Sequence, residues 1–136
     1  MKSLDTNVLA RFFVDDEDDE QAKGQRPLAV AAMSERCWVS ITVILELEWV
    51  LRGFYELAPA DVCRVMTALA GIEHVQIEDR DAVLNAVDAT RRGMDFADAL
   101  HLARSGRAAS FVSFDRRLAK RAAAQKILPA VELLKP

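Results

Sequence analysis

Five short segments of strand-like composition punctuate the chain, and one or more stretches of helical apolar spacing separate each from the next. The segments are Lys2–Leu4, Cys37–Val39, His74–Ile77, Ser110–Ser113 and Ala130–Glu132. Between them, Val8, Leu9, Phe12 and Phe13 recur at helical intervals, Ile41 to Arg52 is strongly apolar, and Val62, Val65, Met66 and Leu69 form an i, i+3, i+4, i+7 stripe bounded by Pro59 and Gly71. Further helices are expected over Gln21–Glu35 (with an irregularity at Pro27), Asp79–Arg92, Asp95–Ser105 and Arg116–Gln125. Strands joined through helices pair in parallel, and a parallel sheet needs helices on both faces. The expectation is therefore an α/β fold of three layers, α/β/α, with a short parallel central sheet. In such folds ligands sit beyond the carboxyl ends of the strands, which singles out Asp5 and Asp115.

The 136 residues carry no repeat and no low-complexity linker, so residues 1–136 are read as one domain. With 51% hydrophobic and 29% charged residues, intrinsic disorder is excluded. No apolar run approaches the roughly 18 residues of a membrane span, and the first residues lead to no signal-peptide stretch. Cys37 and Cys63 lack the spacing of a zinc or redox motif. Both are expected to be reduced thiols, partly buried, in a cytoplasmic protein with no membrane partner.

The net charge of −3 conceals a split. Six acids form one run, Asp15–Glu20, expected to open a helix where the macrodipole favours negative charge. From Arg91 to Lys126, nine basic residues face three acids, Asp95, Asp98 and Asp115. A local basic field of this kind can bind phosphates on a molecule that is acidic overall, although the same residues would also serve simply to solvate helix faces.

Four carboxylates lack an obvious partner. Asp5 and Asp115 each follow a strand, where capping of the next helix is an equal alternative. Glu46 lies in an apolar helix whose i±3 and i±4 neighbours, Thr42, Val43, Trp49 and Val50, include no cation. Burial of that helix would leave Glu46 a costly lone charge unless it binds metal, whereas Glu48 has Arg52 at i+4 and reads as half of a surface ion pair. Asp98 is crowded by Phe96, Ala99, Leu100 and Leu102, while Asp95 one turn earlier reads as a helix cap. His101 is read as a satisfied core or rim histidine. Trp38, Trp49 and the phenylalanines are read as core rather than base-stacking platforms.

Acids from separate segments, with no Cys or His cluster, suit a hard cation such as Mg²⁺ or Mn²⁺. Beside a basic surface, that combination suits phosphodiester hydrolysis. An aspartyl-phosphate phosphatase also begins with Asp after its first strand, but it would want a second Asp where this chain has Asn7, and it leaves Glu46 without a role.

The segments Leu4–Leu9, Leu45-Glu46-Leu47 with Trp49–Arg52, Asp98–Ala103 and Ser113–Leu118 resemble the PIN-domain family, in family order and spacing over nearly the whole chain. Within it, the sequence looks like the VapC-type toxins. The resemblance implies that Asp5, Glu46, Asp98 and Asp115 are the acidic metal-binding and catalytic positions. It also implies that Thr6 and Ser113 are the small hydroxyl residues beside them, with Asn7 at the usual Asn or Ser. By the same resemblance, the activity is that of a Mg²⁺- or Mn²⁺-dependent endoribonuclease acting on RNA, usually a homodimer, held in check by a VapB-type antitoxin. His101-Leu102 stands where many members carry a plainer pair, and Ser113 where Thr is frequent. The alternatives within the fold are a DNA or flap nuclease and a non-catalytic binding module.

Overall fold

A computed structural model describes residues 1–136. The chain forms two compact units, Met1–Arg80 and Asp81–Pro136.

In the first unit, β1 (Lys2–Ser3), β2 (Cys37–Val39) and β3 (Val75–Ile77) pair in parallel in that order, with Lys2 opposite Cys37 and Cys37 opposite Val75. The connections are helical: α1 (Thr6–Phe13) and α2 (Glu20–Met33) between β1 and β2, then α3 (Ile41–Gly53) and α4 (Pro59–Ala70) between β2 and β3. Polar side chains just past the strands start the helices. The Asp5 carboxylate accepts the Thr6 N–H to open α1, and the Ser40 hydroxyl accepts the Val43 N–H to open α3. Proline at the first position of α4 replaces a side-chain cap. The core comprises Leu9, Val39, Ile44, Leu47, Leu51, Met66 and Leu69, all essentially inaccessible.

In the second unit, β4 (Phe111–Ser113) and β5 (Val131–Leu133) pair in parallel, Phe111 opposite Val131. They accompany α5 (Arg80–Arg91), α6 (Phe96–Ala103) and α7 (Arg116–Ala124). Asp95 caps α6 and Asp115 caps α7, the latter accepting the N–H groups of Arg117 and Leu118 at 2.9 and 3.1 Å.

All strands are parallel and every expected element forms, with ends displaced by a few residues at most. The strands pair as two groups, three in the first unit and two in the second. Helix α2 continues through Pro27 rather than breaking there. Of the acidic run, only Asp19 and Glu20 open a helix, Asp19 capping it and Glu20 in its first turn, whereas Asp15–Asp18 precede it. One N-terminus has few free N–H groups to offer, so the other four acids do not cap it, and Asp15 instead lies 4.0 Å from Arg26 Nε. Cys37 and Cys63 are both buried and neither is in a disulfide, and burial pushes the Cys37 thiol above its ordinary value. No helix is long and apolar enough to cross a membrane.

Helix α3 reverses one reading of the sequence. Its buried stripe is Ile44, Leu47, Glu48 and Leu51, spaced i, i+3, i+4, i+7, so Glu48 is the buried acid and Glu46 is exposed. Arg52 reaches in from a half-exposed position, its Nε 2.8 Å from the Glu48 carboxylate. That pair is a component of the core rather than a surface decoration. Glu48→Gln, which keeps the shape and loses the charge, is expected to cost about 1 kcal/mol of stability, measurable by urea titration.

Candidate metal and nucleic-acid site

In the first unit the site is built around Thr6. Because Asp5 caps α1, the first helical residue is held under its carboxylate, and the Thr6 N–H donates to Asp5 Oδ1 at 2.8 Å. The Thr6 hydroxyl donates to Glu46 Oε1 on α3. Thr6 is itself buried, so one side chain and its own amide orient both carboxylates. Asp5, Asn7 and Glu46 are exposed and, with Thr6, line one cavity of about 360 Å³. Glu46 therefore has a hydroxyl partner and solvent access, not the solitary burial expected of it. The reason is that α3 is apolar on nearly every side while only the stripe through Ile44, Leu47 and Leu51 reaches the core.

Arg11, Trp49, Phe54 and Tyr55 line the same cavity. Trp49 is 62% exposed and Phe54 69% exposed, which overturns their assignment to the core, as does Phe114 at 71%. Trp38 is only half-buried. Arg11 Nη1 donates to the Tyr55 hydroxyl at 2.6 Å and its Nε to Gln25 at 2.9 Å. Both partners are neutral, so the guanidinium keeps its charge uncompensated.

In the second unit, Asp95, Asp98 and Asp115 line one cavity of about 250 Å³ with Arg117 and Arg121. Asp95 accepts the Asp98 N–H at 3.2 Å, as a cap should. Asp98 is half-buried, and burial pushes its carboxyl above the ordinary value. The charges of Asp95 and Asp115 push it further the same way, partly offset by His101. None of the three carboxylates has an ion-pair partner. Ser113 accepts the Asp115 N–H at 3.0 Å and so orients the turn that carries the acid. His101 is exposed and stacks on Phe111 with ring centroids 6.5 Å apart.

These observations decide whether a divalent cation suits the residues. Every candidate donor is a carboxylate, hydroxyl or amide oxygen, the set a hard cation prefers. Nowhere do three acidic, His or Cys side chains already stand in ligating geometry. A Mg²⁺-type ion retains several waters and needs only one or two carboxylates, which the pair oriented by Thr6 supplies. The donor chemistry fits.

The sequence marked Asp5, Thr6, Asn7 and Glu46, which line one cavity, and Asp95, Asp98 and Asp115, which line another. It missed Arg11, Trp49, Phe54 and Tyr55. A signal for two of these was present, since Arg11 lies one turn beyond Asn7 and Trp49 one turn beyond Glu46.

No curated protein and no solved structure matches the chain. The PIN domain family model matches residues 3–124, which include all four of the motif segments. The chain thus belongs to the PIN-domain family, whose members are generally metal-dependent nucleases.

Proposed function

We propose that the protein is a Mg²⁺- or Mn²⁺-dependent endoribonuclease and the toxin of a VapBC-type pair, working in the cytoplasm as a homodimer under the control of a VapB-type antitoxin. The observation that carries the nuclease reading is the Thr6 bridge between two exposed carboxylates, Asp5 and Glu46, at a cavity also lined by Arg11, whose hydrogen-bond partners are both neutral. Asp98 and Asp115 are assigned to the same chemistry by their motif segments, and the Asp98 carboxyl, raised by burial and then by the charges of Asp95 and Asp115 that line the same cavity, supports a role for a cation beside it. The single domain spanning 1–136 is part of this reading, in keeping with a family match that runs across both units.

When bound, the ion supplies positive charge against the scissile phosphate and lowers the pKa of the attacking water. The chain contributes the rest. Asp5 and Glu46 would hold the ion, and Thr6 fixes their orientation. Arg11, Arg116 and Arg117 attract the phosphates. Asp95 and Ser113 hold Asp98 and Asp115 in place through backbone amides.

The test is incubation of the purified chain with single-stranded RNA, single-stranded DNA and a generic phosphomonoester, with Mg²⁺, Mn²⁺ or chelator. RNA cleavage that needs the metal, and that a co-expressed product of the upstream gene suppresses in a stable complex, is expected. Cleavage confined to DNA would assign the protein to the flap and DNA nucleases. Turnover of the phosphomonoester alone would make Asp5 a nucleophile. Metal-independent binding without cleavage would leave a binding module.

Arg116 and Arg117 are exposed, and Arg117 lines the cavity with the three aspartates. Reversing both to Glu is expected to weaken RNA binding and to flatten the slope of log K against log salt by about 1.4, at roughly 0.7 per lost phosphate contact. An unchanged slope would return both residues to plain surface solvation.

A further inference from the structure

Three large side chains on α3 and the turn after it stand where the hydrophobic effect would not put them. Trp49 and Phe54 are mostly exposed, and Tyr55 is half-buried beside them. All three border the cavity that holds Asp5, Thr6 and Glu46. The Phe54 and Tyr55 rings meet edge to face, centroids 4.9 Å apart, which fixes one against the other. A Cβ at Gly53 would come to 4.0 Å from Trp49 Cε2, an ordinary contact, so the glycine leaves that edge of the indole uncovered by its own residue. Trp49 sits one turn from Glu46 on the same helix, so its ring lies alongside the carboxylate rather than on a remote face.

A cavity with two carboxylates would ordinarily repel a nucleic acid. Here it also contains Arg11, whose guanidinium is pinned by Tyr55 and Gln25 yet neutralised by neither. Aromatic faces beside an uncompensated, positioned cation are the two elements by which proteins grip single strands: stacking for the base, charge for the backbone. At about 360 Å³, the cavity lies at the small end of the range for ligand sites.

From this combination we infer that Trp49, with Phe54 and Tyr55, forms a base-binding subsite for one unstacked base of a single-stranded RNA, and that Arg11 holds the adjoining phosphate. The inference rests on the ribonuclease reading and deepens it. The substrate would be single-stranded or looped at the cut, because a base paired in a duplex has no free face to offer. Trp49 is a specificity-determining residue in this account and takes no part in bond cleavage.

The experiment uses the full chain and a short single-stranded oligoribonucleotide, intact or with one abasic position moved along it, in chelator so that the strand survives. Trp49→Ala is expected to weaken binding of the intact strand about ten- to a hundredfold, and Trp49→Phe only a few-fold. One abasic position should cost the wild type a similar factor and cost Trp49→Ala almost nothing, the coupling that a loss of mere structure would not produce. Arg11→Ala should lower the salt slope by about one contact. If the wild type cleaves RNA with metal but Trp49→Ala binds the intact strand as tightly as wild type, the subsite is wrong and the nuclease reading stands. Should that variant instead lose self-association in sedimentation, the aromatic surface belongs to a second copy and the inference is equally overturned. A wild type that neither binds nor cleaves single-stranded RNA overturns both readings.

Discussion

Asp5→Asn, Glu46→Gln, Asp98→Asn and Asp115→Asn are each expected to lower metal-dependent RNA cleavage by roughly two to four orders of magnitude. Combining Asp5→Asn with Glu46→Gln should cost little more than the worse single change, because acids that line one cavity act as one unit. The control is Glu48→Gln. Its carboxylate is buried against Arg52, away from the cavity that Glu46 lines, so the cleavage rate per folded molecule should hardly change. Rates are to be compared at matched folded fraction, by single-turnover cleavage of a labelled RNA. Full activity in Glu46→Gln, or an inactive but folded Glu48→Gln, would mean that the wrong acid of α3 has been assigned to the chemistry.

A second large effect is expected in thermal melts of the wild type and Asp98→Asn, each with chelator and with Mn²⁺. Burial, Asp95 and Asp115 raise the Asp98 carboxyl in the folded state, so folding favours its protonated form. The stability it lends is therefore complete below the unfolded carboxyl pKa. It is lost as pH rises from the unfolded value through the raised folded value, above which the penalty stands in full. Asp98→Asn removes that penalty, so the chelated variant should melt at or above the wild type at pH 7, and its decline from acid to neutral pH should shrink. Mn²⁺ at a hundredfold excess over its dissociation constant would stabilise the wild type by about 2.7 kcal/mol, on the order of 10 °C in Tm. In Asp98→Asn most of that increment should vanish. A variant that melts lower in chelator and keeps the full Mn²⁺ increment would reduce Asp98 to a first-turn acid serving the α6 dipole.

Much of this architecture was legible because local signals agreed with one another. Asp5, Asp95 and Asp115 each precede a helical pattern and each caps one, while Pro59 opens α4 as its chemistry allows and Gly71 follows its last residue in ordinary right-handed backbone. The strands were legible as brief apolar interruptions between such helices. Helix α3 was not fully legible, and the reason is physical. Where nearly every position is apolar, neighbours along the helix reveal which charges lack partners but not which side turns inward. Ile44, Leu47 and Leu51 settle that through packing, carrying Glu48 inward and Trp49 outward. Thr6 was marked only by resemblance, because a contact across 40 positions of sequence between its hydroxyl and Glu46 leaves no local trace. Arg11 was missed for the same reason, its orientation depending on Tyr55, 44 positions away.

The caps themselves bear on how such a chain would drift over generations. Three of its candidate functional acids, Asp5, Asp95 and Asp115, also hold the first amides of their helices. Asparagine caps a helix about as well as aspartate, whereas alanine costs about 1 kcal/mol. The codons of Asp and Asn differ by a single transition. A lineage released from selection for cleavage would therefore pass most readily through Asp-to-Asn changes that silence the chemistry and leave the fold intact. Inactive descendants would accumulate as stable look-alikes, still able to occupy whatever the active form binds.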